Sequence, residues 1–336
     1  MAQQQVTWRI EARHAVGLVL AVTAGLTLAL ALFVGVAVNS APNGVRLAVA
    51  GPPAAADQIA SELAAAAGPD AFEVTTVSGA DQAEAALRER TADGAIVIGP
   101  GGPTVLVATA GSPAISQLLT TAASTLGADA SAAVPVMDVV PLTPQDSRGA
   151  GLPAGSLPMV LAGLALGAAA ALSLRNRWVL LGAVVGGAIA IGLSFAGVLA
   201  WLGVTDGAYL AVSSAIALTV AASALVVAGA TRLMGPAGVA VGALLLMIIG
   251  NPLSGIASSP RLLPAPWGEV GQWLPTGAGG TLLRTVAYFP DATIGFPVWV
   301  LLGWAVLGLT GVLLGRPRVA GSAPVDRPAA LVPSLD

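Results

Sequence analysis

Side chains able to do chemistry are sparse in this chain and fall outside its long apolar stretches. The densest set lies between Gly250 and Gly295, where Asn251 and Pro252 of GNPLSG are followed by Trp267, Glu269, Trp273, Arg284 and Asp291. Glu269, Arg284 and Asp291 are expected to pair as salt-bridged loop residues or to line a wet vestibule. The prolines break helices, and the Trp residues suit a membrane interface. No nucleophile, base and orienting group can be assembled. The single His, His14, stands beside Arg13 ahead of the first apolar run, and Cys is absent. The chain therefore reads as a non-enzyme, with no catalytic residues, no metal site and no cofactor. Gly99-Pro100-Gly101-Gly102-Pro103 invites a phosphate-loop reading, but it lacks the GxxxxGK[ST] spacing and joins two strands, so a tight hairpin is expected.

The elements that position these residues are set by a membrane. Apolar residues make up 56% of the chain and charged ones 9%, with a mean hydropathy of +0.85. Ala15 to Val38, Gly155 to Leu174, Trp178 to Leu202, Tyr209 to Ala230 and Phe296 to Leu314 carry no charged side chain, and each approaches or exceeds the roughly 20 residues that a helical span requires. Met234 to Gly250 is a shorter sixth. Arg9 and Arg13, Arg175 and Arg177, Arg232, and Arg316 and Arg318 all fall on one side of a six-span arrangement. By the positive-inside rule that side is the cytoplasm of a cell-membrane protein, with both termini in it. The expected organisation is a cytoplasmic lead-in helix over 1–14, a first transmembrane helix over 15–38, and an extracytoplasmic α/β domain over 39–153. A five-helix membrane domain follows over 154–316, with a re-entrant or interfacial segment at 251–295, and then a cytoplasmic tail over 317–336. The first span follows a basic lead-in, but its apolar run is too long for a signal peptide, so it is read as an uncleaved anchor. The net charge of -3 and the lack of a basic tract argue against a nucleic-acid partner.

Between the first two spans the pattern changes to short strands and amphipathic helices. Val45 to Ala50, Phe72 to Val77, Ala95 to Ile98, Thr104 to Ala108 and Val134 to Val140 read as strands. Helices run to Ala67, from Ser78 to about Arg90, and from a cap at Ser112-Pro113. The order β-α-β-α-β-β-α-β predicts a small sheet, parallel at first and then closed by a hairpin, which folds as a unit over about Asn43 to Val140. Its surface is acidic, with 11 Asp and Glu against 4 Arg over 39–150, a balance of 4 − 11 = −7.

The spans themselves offer Ser and Thr but no carboxylate, which argues against a proton-coupled carrier. A break at Gly250-Asn251-Pro252 would leave backbone carbonyls as the one route to a sodium site. Gly163 with Gly167, Gly182 with Gly186, Gly238 with Gly242 and Gly311 with Gly315 recur at four-residue spacing and imply close helix packing.

Three segments carry a resemblance over nearly the whole chain: VPLTPQDSRGAGLPAG from Val140 to Gly155, GNPLSGIASSPRLLPAPW from Gly250 to Trp267, and WLPTGAGGTLLRTVAYF from Trp273 to Phe289. With the arrangement of spans, they resemble the type-2 ATP-binding-cassette transporter permeases, most closely the phage-infection-protein-like branch. The resemblance implies a homodimer or heterodimer with a second permease subunit and a translocation path between subunits. A separate cytoplasmic ATPase would supply the energy, since this chain has no Walker motif. Members of the family dock that ATPase through a cytoplasmic coupling helix between the second and third spans, and here that loop is Arg175-Asn176-Arg177. Trp8, Arg9 and Arg13 of the lead-in, with Arg175 and Arg177, are the residues left to form a docking surface. Two functions follow: an exporter subunit for a lipid-like or amphiphilic compound, or a non-transporting envelope scaffold or binding protein on a permease-like fold.

Overall fold

Long apolar runs leave the backbone one way to satisfy its hydrogen bonds in lipid, and the chain folds accordingly. The computed structural model describes the backbone of residues 2–129 and 134–316 and, within these, the side chains of 14–17, 19–20, 23–124 and 134–316. Among the described residues, four helices are long and apolar enough to cross a membrane. These are α5 (Gly151–Ser173), α6 (Arg177–Trp201), α7 (Tyr209–Met234) and α11 (Gly295–Leu314). Two further helices carry shorter described apolar parts. The first, α1, runs unbroken from Ala2 to Val38, so the expected lead-in and first span form one rod about 55 Å long. The second, α8, covers Ala237–Leu253. The smaller helices are α2 (Pro53–Ala67), α3 (Ala80–Arg88), α4 (Pro113–Asp129), α9 (Trp267–Gln272) and α10 (Pro275–Tyr288). The expected tail over 317–336, with Arg318, lies outside the described residues.

The bundle is centred on α7, against which α5, α6, α8, α10 and α11 pack. Glycines permit this closeness. A methyl added at Gly167 would run into the Ala224 carbonyl of α7, one at Gly163 would meet Ser223, and one at Gly308 would strike the backbone at Leu225. The spaced glycines of the sequence are thus used inside the chain at 163/167, 238/242 and 311/315, while Gly182 and Gly186 have no neighbour within 4 Å. On α6, Trp178 and Trp201 stand exposed at opposite ends, about 35 Å apart along the axis, a separation that matches two membrane interfaces.

The segment between α1 and α5 holds a five-stranded sheet: β1 (Val45–Ala50), β2 (Phe72–Val77), β3 (Gly94–Gly99), β4 (Gly102–Val107) and β5 (Val136–Asp138). Its order is β2-β1-β3-β4-β5, with the β3–β4 pair alone antiparallel. Pro100 and Gly101 make the β3–β4 turn, because Gly99 pairs with Gly102. Alternate residues of β1 feed two cores. Ala48 and Ala50 face α3, and Val45 and Leu47 face α4. Each core is completed from outside the domain, Phe289 entering the first and Leu262 the second. The sequence spacing locates the sheet, and the helical region supplies two of the buried side chains that pack into it, Phe289 and Leu262.

Candidate functional site

The two halves meet along α10. Pro275 opens this helix, where a missing N–H costs nothing, and Gly277, Gly279 and Gly280 let it enter the bundle. A methyl on Gly279 would collide with Thr219 midway along α7, and one on Gly280 would crowd Ile256. The sequence suggests a short helix only from Leu282. The TGAGG stretch before it has little apolar signal, yet small size is what lets it pack among α7, α8 and α11. At its far end Tyr288 donates to the Val204 carbonyl at 2.7 Å, and Phe289 passes into the core of the sheet domain.

The residues expected to form one vestibule are dispersed. Glu269 is exposed in a groove beside Arg261, and Asp291 is exposed just before α11. Neither pairs with Arg284, which is 6% exposed and donates from Nη2 to the Ile256 carbonyl at 2.7 Å. The expected salt-bridged trio is thus corrected: burial of α10 carries Arg284 away from the surface where both carboxylates lie. Trp267 and Trp273 are exposed, with the Trp273 ring edge-on to Phe296 at 5.0 Å, and Trp304 Nε1 donates to the Trp273 carbonyl at 2.8 Å. Trp273, Phe296, Trp299 and Trp304 line an apolar groove of about 370 Å³ on the bundle surface.

The expected break at Asn251-Pro252 is also corrected. The helix continues through Pro252 to Leu253, preceded by a π-helical stretch over Leu244–Gly250. Proline cannot donate and its ring clashes with the carbonyl four residues back, and a widened turn relieves both constraints. Thr276 lies against Gly250 on this turn, and its buried hydroxyl has no partner.

Beside α10 lies an apolar cavity of about 180 Å³ between α5, α6 and α7, lined by Leu152, Pro158, Met159, Phe195, Ile216 and Leu283. A cavity of this size and lining accepts a small hydrocarbon body, such as the end of an acyl chain. No signal in the sequence marks it beyond Pro158 within α5, because its walls are ordinary span residues.

At the opposite end of the bundle, Arg232 is 2% exposed and caps α5, donating to the carbonyls of Leu174 at 2.5 Å and Arg175 at 3.2 Å. Arg177 donates to the Leu313 carbonyl at 2.8 Å and so closes α11, and Asn176 caps α6. Arg175 and Arg177 are otherwise exposed there, whereas the side chains of Trp8, Arg9 and Arg13 lie outside the described residues. No protein-family model matches the chain, and comparisons with curated proteins and with solved structures find no match.

Proposed function

We propose that the chain is the membrane-spanning subunit of an exporter of a lipid-like or amphiphilic compound, a six-span cell-membrane protein with both termini cytoplasmic. It works beside a second permease subunit, is driven by a separate ATPase, and does no bond chemistry of its own. The observation that carries this reading is α10, a helix re-entering the bundle with an apolar cavity on one flank and its end seated in the sheet domain. Backbone turned back at membrane depth is tolerated only within protein or along a wet path, which is where a permease needs it. Liposomes holding the purified chain, a candidate ATPase and a fluorescent phospholipid test it: ATP-dependent movement between leaflets is expected. Movement driven by an imposed pH gradient without ATP would overturn it.

A second reading has its own support. The α5–α6 connection is a tight turn whose carbonyls are already taken by Arg232, so no helix projects there for an ATPase to grip. This favours a scaffold or binding protein that holds an amphiphile without moving it. A partner ATPase that binds the chain while no lipid moves would select this reading.

A further inference from the structure

The polar counterpart of the apolar cavity lies on the other side of α10, where the sheet domain meets the helices. Arg90 follows α3 and adopts φ of 58°, a left-handed conformation that Gly or Asn accepts at lower cost. This turn directs its guanidinium onto α10. Nη1 donates to Thr285 Oγ1 at 2.6 Å, and the group lies 5.1 Å from the centre of the Phe289 ring. Burial, and after it the nearby Arg284 guanidinium, push Arg90 down from the ordinary arginine range to about 10, which leaves it charged at neutral pH. Arg90 and Arg284 face a common cavity of about 30 Å³, with Ser112, Ser259 and Asp93 also in its wall. By the usual measure of cavity size it holds about two waters or one small oxyanion.

Two like charges buried together are costly, and the neighbouring Asp93 carboxylate offsets this only in part at Arg90, its effect ranking behind burial and the Arg284 charge. Asp93 is engaged by Arg46, whose Nε and Nη2 donate to it at 3.1 and 2.9 Å and whose backbone N–H adds a third bond at 3.0 Å. Arg261 lies 3.9 Å from the same carboxylate. Arg46 and Arg261 thus hold this carboxylate, and Arg90 and Arg284 make no ion pair among the described residues. Among the described residues Arg284 makes a single hydrogen bond, from Nη2 to the Ile256 carbonyl. The Ser259 hydroxyl accepts from the Arg261 N–H and keeps its own proton for donation. Donors therefore converge on the space and acceptors are occupied. The α/β segment as a whole is acidic, so this concentration of positive charge is local to the junction.

We propose that this cavity is an oxyanion site that takes one phosphate group between Arg90 and Arg284. The phosphate belongs either to a lipid headgroup reaching in from the membrane or to free inorganic phosphate. The site stands whether or not the chain transports anything.

The test uses the full chain, delipidated in a non-ionic maltoside, with thermal unfolding followed in two titrations at constant ionic strength. One adds inorganic phosphate in place of chloride. The other adds short-chain phosphatidylglycerol, with a short-chain diacylglycerol that lacks the phosphate as its control. A rise in Tm with inorganic phosphate identifies the free ion, and a rise with phosphatidylglycerol alone identifies the headgroup. Arg90→Gln and Arg284→Gln are each expected to weaken the responding probe roughly ten- to hundredfold. Arg88→Gln, which removes an exposed pair with Glu84, should leave it within twofold. A purely structural role would lower Tm in the variants but leave the wild type without any phosphate-dependent shift. That absence of response to both probes in the folded wild type overturns the proposal, as does an unaltered response in folded Arg90→Gln. The wild-type titration decides even where Arg284→Gln fails to fold.

Discussion

Replacing Phe289 by Ala should loosen a sheet domain with which it shares no local sequence. Its ring is 2% exposed and sits among Ala48, Ala50, Ala83, Leu87, Leu106 and Ala108. Truncating a buried Phe costs about 3–5 kcal/mol, more where the walls cannot close on the space left behind. Here the walls are mostly alanines on paired strands and on α3, which have no longer side chain to swing inward. The upper half of that range is expected, a large part of the roughly 5–15 kcal/mol that a domain possesses. Each 1.4 kcal/mol is a factor of ten, so amide exchange in β1 and β3 should accelerate between about seven hundredfold and a few thousandfold. The assay is hydrogen exchange by mass spectrometry on the full chain in nanodiscs. Phe296→Ala serves as a control on an exposed ring, and α6 as an internal reference. Acceleration under tenfold in β1 and β3, with Phe289→Ala otherwise folded, would show that the domain core does not depend on the helical region and would refute the argument.

Other expectations follow from the same contacts. A fragment of residues 43–140 lacks both Phe289 and Leu262 and should melt with less cooperativity by circular dichroism than the same fragment covalently linked to 255–292. Gly167→Val should lower Tm in detergent by forcing α5 from α7, while Gly182→Ala, which meets open space, should leave it unchanged or raised. Arg232→Ala should cost about 1–3 kcal/mol by stranding the carbonyls of Leu174 and Arg175, with Arg232→Lys recovering part of it in chemical unfolding. Reporters fused after Arg177 and Arg232 should be cytoplasmic and those at Gly101 and Trp267 extracytoplasmic; a cytoplasmic signal at Gly101 would overturn the proposed orientation.

The strands and the long helices were legible because each rests on local pattern. Val45–Ala50 and Phe72–Val77 fall where alternation and turn residues place them, and Ser112 caps α4 as its position before Pro113 suggests, accepting from the Ile115 N–H at 3.2 Å. What escaped was set by contacts distant in sequence. The burial of α10 depends on Gly277, Gly279 and Gly280 meeting groups on other helices, and small residues give a weak hydrophobic signal. The sequence pairs Arg284 with Glu269 and Asp291 because they are near it along the chain, whereas the cation sharing its cavity wall is Arg90, 194 residues away (284 − 90). Pro252 reads as a breaker, and only the preceding π-helical turn shows how the helix survives it.

The same helix contributes Leu283 to the apolar cavity and Arg284 to the polar one, and the residue that ends it, Phe289, enters the sheet core. Over its 14 residues α10 is a rod of about 21 Å, hydrogen-bonded along its length and packed too closely at its glycines to slide without collision. A phosphate held at Arg284 and a hydrocarbon held at Leu283 would be sensed by a single rigid element, which is the arrangement an amphiphile with one head and one tail requires. It also restricts how the chain can move. The sheet domain cannot swing freely on the helices while Phe289 and Leu262 are seated in it, so the proposed transport would have to shift domain and α10 together. The surfaces with few internal neighbours are the exposed flank of α1 against α8 and the outer face of α6.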